Sequence, residues 1–182
     1  MNSKTIIFSP LDFPANANIV VQHDELPLVT NELSVTLRLN LQSHNPGWID
    51  IFQKGEGLEI RSPSLWLTPN VSQPTPRFST NIEGNSGISA IGDGFILNKW
   101  YHISYTLSEP HKRADFYVDG KWVGFKSIEH VQTQYIVFNK EPLKIGQNAT
   151  FTGRMRLRHM THTNEPYCHI LLLTSNVGIE PF

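Results

Sequence analysis

A nine-residue run in which apolar and polar side chains alternate strictly constrains the fold of this chain more than any other feature. Leucine or valine occupies every second position from Leu33 to Leu41. The positions between them carry polar side chains: Ser34, Thr36, Arg38 and Asn40. Because successive side chains of a strand point to opposite faces, the run predicts a β-strand with one buried face and one solvated face.

Further runs along the chain have the composition of short strands, and Gly, Pro, Asn or Asp separates most of them. They are predicted at residues 5–8, 18–22, 48–53, 64–68, 76–81, 101–107, 113–119, 122–127, 143–145 and 153–160. The segment Pro69–Pro76 holds three prolines and is predicted to be a loop. Short strands at this spacing indicate an all-β, two-sheet antiparallel β-sandwich. A length of 182 residues fits one domain spanning residues 1–182.

Within the segment Arg113–Phe125, the dipeptide Asp119-Gly120 lies between two β-rich runs. A type I′ turn requires positive φ at both central residues, which Asp tolerates and Gly adopts freely. We therefore predict a tight two-residue β-hairpin at this position.

The stretches around this hairpin resemble the laminin-G-like branch of the concanavalin A-like lectin/glucanase superfamily. The similarity is carried, in order, by Leu33–Leu39, Trp48–Gly55, Lys99–Thr106, Asp115–Lys121, Lys144–Gly146 and Phe151–Met155. It covers about residues 5–158 and implies a jelly roll in which Trp100 fills a core position. It implies little about activity, because one fold hosts many functions.

The chain departs from the family pattern after Met155, so residues 159–182 form an atypical C-terminal tail. His159, His162, Cys168 and His169 lie close together there, but their spacing matches no standard zinc site. Relatives of this kind can bind calcium through loop oxygens, yet the acidic residues here are scattered and form no calcium motif. These are Asp12, Asp24, Asp50, Glu83 and Asp93. No cofactor is predicted.

Glycoside hydrolysis would require two carboxylates on either side of one bond, about 5–9.5 Å apart. The chain has no motif that places carboxylates at alternate positions of one strand. Glu56 and Glu59 are three residues apart, which puts them on opposite faces of an extended strand. The sequence therefore predicts a protein that is not an enzyme.

The charge balance bears on partners and location. Lys and Arg number 15 and Asp and Glu number 16, which gives a net charge of −1 and argues against nucleic-acid binding. No apolar stretch reaches the roughly 18 residues of a membrane-spanning helix. One cysteine and no visible signal peptide predict a cytoplasmic or non-classically exported protein.

Glycan binding requires an aromatic ring to stack on a sugar and a few polar groups to hold its hydroxyls. The candidate ligand-binding residues are Trp48, Trp66, Arg38 and Asn40, and the open face of the Leu33–Leu41 strand is the predicted site. The leading hypothesis is a non-catalytic, lectin-like module for a glycan or glycoprotein. One alternative is a structural or protein-interaction domain that self-associates as a homo-oligomer, and a third is a glycoside hydrolase.

Overall fold

A computed structural model describes residues 2–7, 11–13, 18–57, 59–131, 133–146, 155–157, 159–160, 166–167 and 171–174. Its strands are β1 Asn2–Thr5, β2 Leu11–Phe13, β3 Ile19–Val21, β4 Glu32–Leu41, β5 Ile49–Lys54, β6 Ser64–Leu67, β7 Pro74–Phe78, β8 Ser86–Gly87, β9 Trp100–Ser108, β10 Arg113–Val118, β11 Lys121–Ser127, β12 Leu143–Ile145, β13 Met155–Leu157, β14 His159–Met160, β15 Pro166–Tyr167 and β16 Leu171–Thr174. Within the described ranges the one helical segment is a three-residue 3-10 turn, His23–Glu25. No helix of the described part is long and apolar enough to cross a membrane.

The strands form two large antiparallel sheets. The eight-stranded sheet has the order β1-β16-β4-β9-β10-β11, and β13 bridges β4 to β2 beside this path. The six-stranded sheet has the order β3-β12-β5-β6-β7-β8. The short strands β14 and β15 pair only with each other among the described segments.

The core lies between the two sheets and is filled by side chains from both. On β4, Leu33, Val35, Leu37, Leu39 and Leu41 are all at most 3% exposed. The facing sheet supplies Ile49, Ile51, Phe52, Leu65, Leu67 and Phe78, each 0% exposed. The alternation in the sequence therefore sets the inward face of β4, and the two-sheet antiparallel sandwich is confirmed.

The predicted hairpin is also confirmed. Strand β10 ends at Val118 and β11 begins at Lys121. The two residues between them have positive φ, 51° at Asp119 and 75° at Gly120, as a type I′ turn requires. Asp119 also joins the turn to β9, because its Oδ1 accepts a hydrogen bond of 2.8 Å from the His102 amide.

Two sequence-based expectations differ from the structure. Residues 74–76 belong to strand β7 rather than to a loop, since Pro74 and Pro76 occupy ladder positions opposite β6. Trp100 does not fill the core, because it is part-buried on the outer side of β9, while the next residue, Tyr101, is 7% exposed and packs against Phe95 in a tilted arrangement.

Candidate functional site

The outer face of the six-stranded sheet carries a continuous patch of polar and aromatic side chains. Two adjacent cross-strand rows supply it: Asp50–Trp66–Thr75 and Gln53–Ser64–Arg77. Their neighbours along β6, Leu65 and Leu67, point into the core. The outer face of the six-stranded sheet, on the side away from the core, is therefore lined by ordered rows of polar and aromatic side chains.

A bulge in β5 places Asp50 and Gln53 on this same face. The register of the pairing with β6 shifts between Asp50 and Phe52, so that Ile51 has no residue opposite it on β6. Ile51 and Phe52 are both 0% exposed and both belong to the core. The extra residue restores the outward direction at Gln53, which strict alternation would have turned inward.

A cleft of about 310 Å³ lies over these rows. This volume is at the lower end of the roughly 300–1,000 Å³ typical of small-ligand sites. Its lining residues are Trp48, Arg61, Trp66, Thr75, Arg77 and Asn85. Trp48 is 46% exposed at the cleft, so its indole offers an accessible flat apolar surface.

Arg61 is held firmly in the cleft although it comes from a loop. The residue is 4% exposed, and its guanidinium donates to Asn85 Oδ1 at 3.1 Å and to the Gly57 carbonyl at 3.0 Å. Its Cζ lies 5.4 Å from the centre of the Trp66 ring. The guanidinium is therefore fixed in place before any ligand arrives.

Trp66 forms the floor of the cleft and is fixed by a relay of amide groups. Its Nε1 donates to Gln53 Oε1 at 3.2 Å. The amide nitrogen of Gln53 donates in turn to the carbonyls of Gly55 and Gly57, both at 3.2 Å. The indole consequently has a defined orientation.

Arg77 enters the cleft from β7. A Cβ on its cross-strand neighbour Gly87 would lie 2.8 Å from Arg77 Cδ and 2.3 Å from the Pro76 carbonyl oxygen, so only glycine permits this close approach. On the core side, the buried Tyr105 hydroxyl donates to the Arg77 carbonyl at 3.2 Å. This bond ties the backbone at Arg77 to the opposite sheet.

Three buried polar atoms around these two rows have no hydrogen-bond partner: Asp50 Oδ1, Arg61 Nε and Ser64 Oγ. Burial raises the pKa of Asp50 well above its ordinary value, and the charges of Arg61 and Lys144 oppose that shift. Native proteins satisfy the great majority of buried polar atoms, and exceptions often mark functional sites. Three such unpaired atoms close to the cleft distinguish this face from an ordinary protein surface.

The four residues predicted from the sequence separate into two pairs. Trp48 and Trp66 both line the cleft. Arg38 and Asn40 lie on β4 in the other sheet, where the Arg38 guanidinium is 5.6 Å from the Trp100 ring centre and Asn40 is only 7% exposed. The described cleft therefore lies on the opposite sheet from the face that the alternation suggested.

The remaining lining residues were not singled out by the sequence analysis. Thr75 and Arg77 alternate with Pro74, Pro76 and Phe78, a strand signal that the prolines obscured. Arg61 and Asn85 lie in loops, where no periodic pattern marks a side chain as functional. They meet only through the pairing of distant segments.

A second surface feature lies on β10 and β11, at the edge of the eight-stranded sheet. Trp122 is 50% exposed and stacks on Phe125 at 5.6 Å between ring centres. Arg113 lies 4.2 Å from the centre of the Phe125 ring and pairs with Asp115, which also accepts a hydrogen bond from Trp122 Nε1 at 2.8 Å. We call these four residues the edge aromatic cluster.

A smaller cavity of about 20 Å³ lies between the two sheets beside Lys54 and His23. Burial lowers the pKa of Lys54 to about 8, while Glu141 opposes the shift. The ammonium donates to the carbonyls of Asn139 and Glu141 at 2.7 and 2.6 Å, so it fastens a loop to β5. This cavity has room for about one water molecule and is too small for a sugar.

Within the part of the chain that the structure describes, no three His, Cys, Asp or Glu side chains converge as metal ligands. The side chains of His159, His162, Cys168 and His169 lie outside the described residues. Glu56, the first of the two carboxylates considered for hydrolysis, is exposed and pairs with Lys144 at 2.8 Å.

The two packed antiparallel sheets and their outer-face cleft define a lectin-like β-sandwich. A family model described as the concanavalin A-like lectin/glucanases superfamily, of the laminin G type, matches residues 14–157. The chain belongs to this superfamily. No curated protein matches the sequence significantly.

Solved structures share the fold at low sequence identity. The binding domain of botulinum neurotoxin serotype D matches with a TM-score of 0.61 and 13% identity, over 95% of this chain and 44% of that one. The binding domain of botulinum neurotoxin DC in complex with rat synaptotagmin II matches with a TM-score of 0.58 and 12% identity, over 94% and 43%. A Trypanosoma rangeli sialidase in complex with the inhibitor DANA matches with a TM-score of 0.51 and 19% identity, over 78% and 20%. The chain thus spans less than half of each of these proteins.

Proposed function

We propose that this protein is a non-catalytic carbohydrate-binding module whose ligand lies in the cleft on the six-stranded sheet. The observation that carries the proposal is the pairing of an accessible indole, Trp48, with polar groups that are fixed before binding. A sugar ring would stack on Trp48, and Arg61, Arg77, Thr75 and Asn85 would bind its hydroxyls. A glycan or glycoprotein is the partner that this chemistry fits.

The cleft supports binding rather than hydrolysis. Its lining residues, all within the described part of the chain, include no carboxylate. Asp50 lies beside Trp66 but is 3% exposed and is a single acid. A glycosidase of the common kind needs two carboxylates facing one bond.

The edge aromatic cluster favours a second candidate function, a protein-interaction domain that self-associates. Exposed aromatic rings with a paired arginine are typical of interface centres. A bulge opposite Phe116 and Tyr117 interrupts the β11 edge, so contact through the ring faces is favoured over strand addition.

Two tryptophan variants with similar exposure separate these functions. On a glycan array, Trp48→Ala should lose about tenfold to a hundredfold in affinity, because stacked aromatic residues often contribute about 1–3 kcal/mol. Its melting temperature should change little, since a core tryptophan would instead cost about 3–5 kcal/mol of stability.

Trp122→Ala is the matched control and should keep glycan affinity. If sedimentation shows an oligomer that only Trp122→Ala dissociates, and no glycan binds, the second function replaces the first. Loss of glycan binding in Arg38→Gln, with Trp48→Ala unaffected, would instead place the site on the eight-stranded sheet.

A further inference from the structure

We infer that the ligand of this cleft is an acidic glycan, whose carboxylate group is bound between Arg61 and Arg77. The inference rests on the proposed carbohydrate-binding function and specifies its substrate class. The positive charges that line the cleft, and the difference in how far the protein neutralises each of them, support it.

Arg61 and Arg77 line the same cleft, and the charge of Arg77 acts on Arg61. Burial lowers the pKa of Arg61, Asp50 opposes that shift, and the positive charge of Arg77 adds to it. Two like charges in one cleft repel each other, and a ligand anion between them would relieve the repulsion.

The protein compensates Arg61 but leaves Arg77 available. Arg61 has Asp50 as a nearby opposite charge and two hydrogen-bond acceptors. Among the described residues, the Arg77 guanidinium has no hydrogen bond and no ion pair. Burial lowers the pKa of Arg77 and the negative charge of Glu83 opposes that shift, but no contact joins the two side chains. An arginine that is half-buried without a partner fits recognition of an anion.

The indoles point to a sugar as the carrier of the anion. Trp48 and Trp66 line the same cleft as the two arginines, so one ligand must present both a stacking face and a negative group. A uronic acid has both within one ring. A simple phosphate would leave the exposed Trp48 indole without a stacking partner from the ligand.

Matched pairs of oligosaccharides test the charge alone. Hexamers of glucuronan, galacturonan and hyaluronan would be titrated calorimetrically at low salt, each beside its own methyl ester, together with neutral cellohexaose, xylohexaose and chitohexaose. At least one acid should bind about tenfold or more tighter than its ester, because charge-assisted hydrogen bonds to a guanidinium are strong. The difference should shrink as salt is added.

Substitutions test whether the preference for the acid over its methyl ester arises in the cleft. Arg77→Gln should bring acid and ester within about threefold of each other, whereas Arg77→Lys should keep part of the preference, since it retains the charge but not the planar fork. Arg113→Gln removes an arginine that packs on an aromatic ring of the other sheet and should leave the preference unchanged.

The outcomes separate this inference from the proposed function. Equal binding of acid and ester, tighter binding of the neutral hexamers, or an unchanged preference in Arg77→Gln would overturn the acidic ligand and leave carbohydrate binding standing. If no member of the panel and no glycan on an array binds, the proposed function itself fails.

Discussion

At the scale of single residues, Asp50 is the most unusual group in the sandwich. Its carboxyl is 3% exposed, its Oδ1 has no hydrogen-bond partner, and its pKa is raised by burial. A β-sandwich has no structural need for such a group, because an amide of the same shape would avoid the cost of a buried charge. Its position beside Trp66 links this cost to the cleft.

The raised pKa of Asp50 predicts how stability depends on pH. Between the ordinary and the raised pKa, the folded chain keeps a proton that the unfolded chain has released, so stability falls as pH rises. Asp50→Asn removes this titration, so its stability relative to the wild type should increase over the pH range that begins at the ordinary carboxyl pKa of about 4 and ends at the raised pKa. Urea unfolding at several pH values measures the difference, and a constant difference across that range would contradict the assignment.

Residues of the candidate site could be predicted from the sequence only where both the side-chain type and its position next to a loop indicated ligand binding. Trp48 and Trp66 could be proposed because an indole next to a loop is a recognisable stacking candidate. Arg38 and Asn40 were proposed from the alternation of β4, which identifies an outward face but not whether a cleft covers it. Arg61 could not be found, because its loop meets Asn85 only after β6, β7 and β8 have paired.

At the scale of elements, the hairpin of β10 and β11 shows how two residues specify a local structure. Gly120 has a φ of 75°, and no atom would lie within 4 Å of a Cβ added to it. A substitution there meets backbone strain and no steric clash. The change in stability on substituting Gly120 therefore measures the cost of positive φ alone.

Gly120→Val should lower the stability by about 1–2 kcal/mol, because a β-branched residue is strained in the left-handed region. For a domain of this size the melting temperature should fall by about 2–8 °C. Gly120→Asn, a residue that tolerates positive φ, is the matched control and should cost less. Equal melting temperatures for Val, Asn and Gly at this position would reject the turn.

Strands with one clear face were predicted well, and strands with an irregularity were not. In strand β4, buried and partly exposed residues alternate from Glu32 to Leu39, because the inward residues all meet the same core, and only Asn40 departs from the pattern by being buried as well. Strand β5 contains a bulge, so its outward residues are three positions apart and no simple period reveals them. Strand β7 carries two prolines at ladder positions, which sequence rules assign to a loop.

At the scale of the whole molecule, the candidate cleft lies on the outer face of the six-stranded sheet, and its lining predicts binding rather than turnover. Purified protein should release no reducing ends from β-glucan, xylan or chitin, because the cleft lining lacks a pair of carboxylates. A reducing-sugar assay measures this. Turnover that Asp50→Asn abolishes would show instead that the buried acid is catalytic.

The arrangement of strands along one edge of β4 also affects how the chain reaches its folded state. That edge is paired by β16 at Ser34–Thr36 and by β13 at Leu39–Leu41, and β1 pairs, among the described strands, only with β16. The most regular apolar strand thus emerges early during synthesis and obtains these partners from segments made much later. Until then an edge rich in leucine stays open to other nascent chains. Closing it requires contacts between distant parts of the sequence, so assembly should be slow and should depend on protection from aggregation while the last strands are produced.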